Sequence, residues 1–392
     1  MSECGVKEFK LRELLKIYNG TKYDHLNKGD IPLYGSGGLL SHVNEALYSG
    51  EAILLPRKGT LSNIMYVNES FWTVDTMYYA VVNDKLADAF YLYSYLSQLD
   101  LSNLDSGSTL PSMTKSAYES IIVKLPDLKI QKVVANFLCN IRKKMEINNQ
   151  INLELEAMAK TLYDYWFVQF DFPDQNGKPY KSSGGKMVYN PELKREIPEG
   201  WGVEKVEDIA QTGSGGTPKS TNVSYYSNGE IPWINSGELE QTVITSTSNF
   251  ITEEGLNNSS AKLFPSGTIL VAMYGATAGK VSFLTFEAST NQAICAIMLN
   301  DIRMRYYLKN VIEDLYQYLV KLSTGSARDN LSQDMIKNIK VVIPSNDILD
   351  RYYDFSNNII KEITKKQQEN EQLTQLRDWL LPMLMNGQVK VE

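Results

Sequence analysis

Apolar residues recur along this chain in two programmes, and both programmes appear a second time a little over 200 residues later. The first programme is strand-like. Short β-branched and aromatic runs at residues 52–55, 76–82 and 121–123 are bounded by Gly, Pro, Asn or Asp, which predicts strands and turns. Among them, residues 87–99 place Phe90, Tyr91, Tyr95, Leu96 and Leu99 at helical spacing and predict an amphipathic helix, matched by 304–322 in the second copy. The second programme is a heptad seam that begins after Pro126. Val134, Leu138, Ile141, Met145, Ile151, Leu155, Met158, Leu162 and Trp166 follow alternating steps of three and four, with polar Asn148 at one seam position. The matching stripe runs Tyr352, Phe355, Ile359, Ile363, Leu373, Leu376, Leu380 and Leu384, interrupted at Lys366 and at Glu369-Asn370. One such stripe predicts a helix packed on its own domain. Two of similar length predict an intramolecular antiparallel coiled coil, and forty residues at 1.5 Å rise give a rod of roughly 60 Å.

The duplication can be read residue by residue. Leu54-Leu55 and Gly59 match Leu270-Val271 and Gly275 at a shift of 216, and the run 76–82 matches 292–298 at the same shift. Gly107-Ser108 matches Gly325-Ser326, and 123–126 matches 341–344, at a shift of 218. A chain repeated in this way presents two similar surfaces, as a protein does when it reads a target in two parts. The expected organisation is a first domain at 1–127, a first helix at 128–170, a connector at 171–197, a second domain at 198–345, and a second helix with its tail at 346–392. The connector is rich in Gly, Pro, Lys and Ser and is expected to be irregular. The fold class expected is mixed α/β: two pseudo-repeated globular domains joined by two long helices.

Composition narrows the classes. At 392 residues each copy is long enough to bury its own core, and 43% hydrophobic with 22% charged residues describes a globular protein. No apolar run approaches the ~20 residues of a membrane span, and the first ten residues lack a signal-peptide core. Three scattered cysteines, Cys4, Cys139 and Cys295, point to a reduced cytoplasm, and two histidines near the N-terminus, His25 and His42, argue against a His/Cys metal site. The net charge of −7 runs against a role on nucleic acid. Each domain carries 11 basic against 15 acidic residues, so any nucleic-acid surface must come from local clustering.

The resemblance becomes specific at the opening of the second copy. Glu199-Gly200-Trp201, Asp208-Ile209-Ala210, Ser214-Gly215-Gly216-Thr217-Pro218 and Ile231-Pro232-Trp233-Ile234 look like the start of a target recognition domain of the specificity (S) subunits of type I restriction–modification enzymes. The first copy resembles another version of that domain, with residues 31–38 running Ile-Pro-Leu-Tyr-Gly-Ser-Gly-Gly, then Arg57-Lys58-Gly59, then Trp72 to Thr76. Trp166 to Asp171, followed by Lys178-Pro179-Tyr180, is similar to the family's exit from its first helix. The resemblance covers essentially the whole chain. It implies one recognition domain for each half of a bipartite DNA sequence, helices that space them, and partners docked on those helices. Those partners are two methyltransferase (modification) subunits and, through them, restriction/translocase subunits. It also implies that this chain binds no cofactor, with S-adenosylmethionine, ATP and Mg²⁺ held only by the partners. The copies differ at their loops: Arg57-Lys58-Gly59-Thr60 faces Met273-Tyr274-Gly275-Ala276, and 214–218 has no visible counterpart near Thr21, which suggests an asymmetric target.

Base reading needs polar side chains on loops where backbone can approach a groove, with cations nearby for phosphate. In the first copy the expected contacts are Tyr34, Ser36, Arg57, Lys58, Gly59, Thr60 and Lys115. In the second they are Lys219, Tyr274, Thr277, Lys280, Ser326 and Arg328. Trp72, Trp201 and Trp233 are expected in the core, and Asn148 is expected either to set the register of the helices or to be a solvated polar gap. No catalytic or metal-ligating residue is expected. The chain lacks a Gly-rich S-adenosylmethionine loop after a strand, an Asn-Pro-Pro-aromatic motif and a Walker loop. A nuclease-like pattern, Pro173-Asp174 with Glu192-Leu193-Lys194, falls in the connector, where no strand is expected to present it. The alternatives are a recognition subunit of a modification-only or fused system, and a coiled-coil scaffold with no DNA role, for which the acidic balance is the argument.

Overall fold

The computed structural model describes residues 6–101, 111–275, 277–322 and 331–385. They fall into two units, residues 1–146 with 371–392 and residues 147–370. The first unit opens with β1 (Lys7–Lys10), α1 (Leu11–Leu14) and β2 (Leu15–Asn19). There follow β3 (Lys28–Gly35), β4 (Gly38–Val43), β5 (Tyr48–Pro56), β6 (Met65–Thr73) and β7 (Met77–Val82). The domain ends with α2 (Ala89–Leu96), α3 (Lys115–Ser120) and β8 (Ile122–Leu125). Six strands form one sheet in the order β2-β7-β5-β6-β3-β4, and β8 pairs with β1 to bring the two ends of the domain together. Along β5 and β7 the side chains alternate between two cores: Ile53, Leu55, Tyr78 and Ala80 enter one, while Ala52, Leu54, Met77 and Tyr79 enter the other. Burial on both faces is why these runs read as continuously apolar.

The long helix α4 (Leu128–Tyr163) starts in the first unit and ends in the second. It widens into a π-turn over Asp164–Val168, which turns both Trp166 and Phe167 into the core, and Phe170 then adopts a left-handed backbone (φ 62) as the chain leaves. The connector is not irregular throughout: β9 (Met187–Asn190) and β10 (Arg195–Pro198) form a hairpin. The second domain repeats the first with β11 (Gly202–Lys205), α5 (Val206–Ile209), β12 (Ala210–Ser214), β13 (Ile231–Ile234), β14 (Val243–Ile244), β15 (Phe250–Ile251), α6 (Glu253–Asn257) and β16 (Leu263–Phe264). It continues with β17 (Ile269–Ala272), β18 (Val281–Leu284), β19 (Ala288–Thr290), β20 (Ile294–Leu299), α7 (Arg305–Leu322), α8 (Gln333–Lys337) and β21 (Lys340–Ile343), before α9 (Asn346–Met385). Its strands form two sheets, β12-β20-β17-β18-β14 and β15-β13-β19-β16, with β11 closed on β21 as β1 is on β8.

The two long helices pair antiparallel. In the first unit Val134, Ala135 and Leu138 share a core with Leu381 and Leu384, and Thr374 Oγ1 reaches Met145 Sδ at 3.9 Å. In the second unit Trp166 meets Tyr352 at 6.0 Å, and buried Asn148 donates to Glu369 Oε2 at 3.0 Å and Asn370 Oδ1 at 2.9 Å. Asn148 is therefore a paired register element of the seam, not a solvated gap. Three seam residues expected from the heptads face water instead: Met158, Phe355 and Leu376. Ala159 and Ser356 take the inward places beside two of them. The reason is that Tyr352, Ile359 and Ile363 also pack on the second domain's core, so the buried stripe is wider than a two-helix seam and rotates off strict heptads.

Candidate nucleic-acid interface

Backbone hydrogen bonds gather five loops of the first domain into one cluster. Gly20 N donates to Met77 O (2.9 Å), Thr21 N to Thr73 O (2.9 Å), Val74 N to Tyr34 O (3.0 Å) and Arg57 N to Thr76 O (2.9 Å). Gly59 N donates to Pro111 O and Met113 N to Arg57 O, both at 2.9 Å. A Cβ on Gly20 would lie 2.0 Å from Val74 O, so this crossing requires glycine. Gly59 has a left-handed backbone (φ +89), and a Cβ there would press on Ser36 Oγ at 3.1 Å. Asn63 Nδ2 fixes the same corner by donating to Ser36 O at 2.9 Å.

The second domain repeats four of these six bonds. Gly216 N donates to Thr290 O (2.8 Å), Asn291 N to Ile234 O (2.9 Å), Met273 N to Ala293 O (2.8 Å) and Leu331 N to Met273 O (2.8 Å). A Cβ on Gly215 would lie 2.0 Å from Thr290 O, the counterpart of the Gly20 crossing. Residues 214–218 thus have a structural equivalent at Gly20-Thr21, contrary to the expectation from sequence. Gly275 repeats Gly59 with φ +90. Even a core exchange is compensated. Leu33 lies beside Trp72 on parallel strands, whereas Trp233 lies beside Ser289, and either indole Nε1 donates into the same loop, to Thr21 O at 3.3 Å or Gly216 O at 3.0 Å.

On this shared frame the side chains differ. Arg57 rests its guanidinium 5.9 Å from the Tyr78 ring and donates to Asp75 O at 3.4 Å, while Lys58 and Thr60 are exposed. Lys115 lies 5.8 Å from the same ring and donates to Ile17 O at 3.0 Å, so it holds β2 as well as supplying charge. Burial, and then the hydrogen bond its hydroxyl donates to Glu69 at 3.0 Å, push the Tyr34 phenol up to about 12, which keeps it a donor at neutral pH. At the position equivalent to Arg57 stands Met273, buried at 5% exposure. Thr277 is also buried, its hydroxyl spent on Ser236 O at 2.7 Å, so it serves the loop's fold. Lys219 is exposed beyond Pro218, and Tyr274 packs partly against the core. Lys280 is exposed and lines a cavity of about 390 Å³ among α4, α7 and α9, together with Ala278 and Gly279 of the same loop. Ser326 and Arg328 lie outside the described residues.

Several members of the clusters were not expected from sequence. Asn63 braces the first. Gln333 braces the second, accepting from Ser214 Oγ at 3.1 Å and donating to Thr212 Oγ1 at 2.9 Å, while Gln292 accepts from Thr217. Isolated Asn and Gln residues carry no spacing signal, and only tertiary contact marks them out. The nuclease-like pattern dissolves into turns. Glu192 follows strand β9, contrary to expectation, but it pairs with Lys340 at 3.1 Å, and Asp174 Oδ1 accepts from the Asn176 and Lys178 amides. Among the described residues no group of three or more His, Cys, Asp or Glu could hold a metal ion, and no helix is long and apolar enough to cross a membrane.

A duplicated mixed α/β domain with two matching loop clusters, each unit sharing in one antiparallel helix pair, defines the class: a pseudo-repeated, two-domain binding protein. The type I restriction modification DNA specificity domain matches residues 3–157 and again 198–375, most of the chain, and the chain belongs to that family as a specificity (S) subunit. It is 27% identical over 297 residues to the MjaIX type I restriction enzyme specificity subunit of Methanocaldococcus jannaschii, covering 74% of this chain and 66% of that one, just under two thirds of its length. It is 26% identical over 333 residues to the HindI type I restriction enzyme specificity subunit of Haemophilus influenzae, covering 72% of each. A type I restriction–modification S subunit from M. genitalium, solved by crystallography, shares the fold with a TM-score of 0.60 over 98% of this chain and 97% of its own, at 14% identity.

Proposed function

We propose that this chain selects the DNA sequence for a type I restriction–modification complex, reading a bipartite, asymmetric target with one domain on each half. The observation that carries this reading is the duplicated loop cluster, one backbone plan bearing Arg57 in one copy and buried Met273 in the other. A conserved frame with altered side chains suits two readers of different base sequences. Residues 1–127 and 198–345 are the readers, and 128–170 and 346–392 the spacers. Two loop faces on the same side of a duplex favour half-site centres about one helical turn (~34 Å, 10 bp) apart. The chain itself is non-catalytic and cytoplasmic. Methyltransferase and restriction subunits bring S-adenosylmethionine, ATP and Mg²⁺. Support for docked partners comes from apolar side chains left in water on the helices: Ile147 (55% exposed), Leu153 (62%), Met158 (54%) and Trp379 (67%).

The test is to co-express the chain with its partner methyltransferase and map methylated bases across the host genome by single-molecule sequencing. A split motif methylated only when this chain is present is the expected result. No new methylation from an assembled, soluble complex overturns the proposal. Adding one helical turn to either long helix is expected to lengthen the spacer of that motif, and an unchanged spacer refutes the role of the rod.

A further inference from the structure

The first domain carries a feature that base contacts do not use. Strands β3 and β4 meet in a two-residue turn, Gly35 opposite Gly38, and immediately after it Leu39 and Leu40 are each 54% exposed. Two adjacent leucines in water are an unfavourable way to finish a hairpin, which is ordinarily closed with polar residues. The turn is open, since a side chain at Gly37 or Gly38 would meet nothing within 4 Å, while Leu40 lies over Gly35 with Val74 beside it. It is nonetheless rigidly rooted. Asn63 Nδ2 holds Ser36 O at 2.9 Å, and a register shift between Leu33 and Tyr34 leaves Leu40 as the extra residue of a β-bulge, a device that re-aims a side chain. The tip is also continuous with the Arg57–Thr60 loop, because Gly59 backs directly onto Ser36. The tip itself, residues 35–41, carries no charge to repel a phosphate backbone, and the nearest acids are Asp30 and Glu45 at the base of the ribbon and Glu69, which accepts from the Tyr34 hydroxyl. Among the described residues the second domain has no such tip. There β13 meets β15 only through Ile231–Ile251 and Pro232–Phe250, with a long excursion between.

We propose that Leu39 and Leu40 form an apolar wedge that enters the DNA base stack beside the first half-site, an inference that rests on the recognition reading above. Apolar side chains inserted at a base step unstack it and bend the duplex, and their burial in the stack repays part of that cost. The wedge reads no base. It makes recognition by the first domain sensitive to the deformability of a base step that no polar side chain touches. It also gives the first domain a means of distorting the duplex that the second lacks.

The experiment uses the full complex of this chain with its methyltransferase partner and the methylated motif found above. 2-Aminopurine is placed in turn at each non-specific position flanking the first half-site, away from the bases that are methylated. The wild-type complex is expected to raise fluorescence at one step. L39S/L40S is expected to abolish that signal and to weaken target binding roughly tenfold or more, with the motif unchanged. L39F/L40F, which keeps an apolar tip, is expected to retain the signal, and a mismatch at the unstacked step should restore much of the affinity lost by L39S/L40S. Absence of any enhanced position in wild type, or its persistence in L39S/L40S, overturns the wedge while leaving recognition intact. Failure of L39S/L40S to assemble with the methyltransferase makes the leucines a protein contact and also overturns it. A wild-type complex that methylates no split motif is the separate result that sinks the recognition reading, and the wedge with it.

Discussion

The first recognition domain lays its frame on one unbroken sheet, and the second has the same frame cut across the middle. In the first, β5 and β6 run nine residues each and join all six strands. In the second, residues 265–268, beginning with Pro265, divide the counterpart of β5 into β16 and β17, and residues 285–287 divide the counterpart of β6 into β18 and β19. A proline offers no N–H to the ladder, so the sheet parts at that line. The four-stranded sheet β15-β13-β19-β16 is the far half of the first domain's sheet, and β14 is an added strand. The room comes from length: residues 36–47 connect the equivalent strands in the first domain, and 235–262 in the second. Yet four backbone hydrogen bonds of the loop cluster recur in both domains. The lesson is that the loops' backbone hydrogen bonds and two obligatory glycines hold the reading surface together, and the sheet beneath them tolerates being broken.

That comparison can be broken most forcefully at the glycines. Gly20→Ala and Gly215→Ala each force a Cβ to 2.0 Å from a carbonyl oxygen, and each is expected to destabilise its own domain by about 4 kcal/mol or more, the rare upper range for single substitutions. Hydrogen exchange should show protection lost in the substituted domain alone. Equal loss in both would mean that the two do not fold as separate frames. Next come the equivalent positions 57 and 273. Met273→Ala opens a cavity in a buried site and is expected to cost about 2–5 kcal/mol in denaturant unfolding without altering the bases read. Arg57→Ala is expected to leave stability nearly unchanged and to lose about 1–3 kcal/mol of discrimination, confined to the first half of the methylated motif. If Met273→Ala changed the motif and Arg57→Ala did not, the assignment of a reader and a core residue would be reversed. The smallest contrast is between threonines. Thr277→Val leaves Ser236 O without its donor and should cost about 1 kcal/mol, whereas Thr60→Val, at an exposed position, should stay within about 0.5 kcal/mol. Thermal midpoints of the two variants that coincide would remove the distinction.

By itself the sequence determined what depends on local pattern and on repetition. The strands at 52–55 and 76–82, the helix before Leu99, the start of α4 at Leu128 and the pairing of two long helices all follow from periodicity, because one face of each must be buried whatever surrounds it. The duplication alone also sets Arg57 opposite Met273 and Gly59 opposite Gly275. Tertiary structure alone decided the rest. Met158, Phe355 and Leu376 fit heptads yet face water, because the helices serve a domain core as well as each other. The hairpin at 187–198 hid in a connector whose composition reads as loop. The equivalence of Gly20 with Gly215, and of Leu33 beside Trp72 with Trp233 beside Ser289, shares no residue pattern, since each is a volume or a crossing filled from a different point in the chain. Which polar side chains remain available to a ligand was decided last. A hydroxyl like that of Thr277 is spent or free according to a carbonyl 41 residues away, and no local rule carries information over that distance.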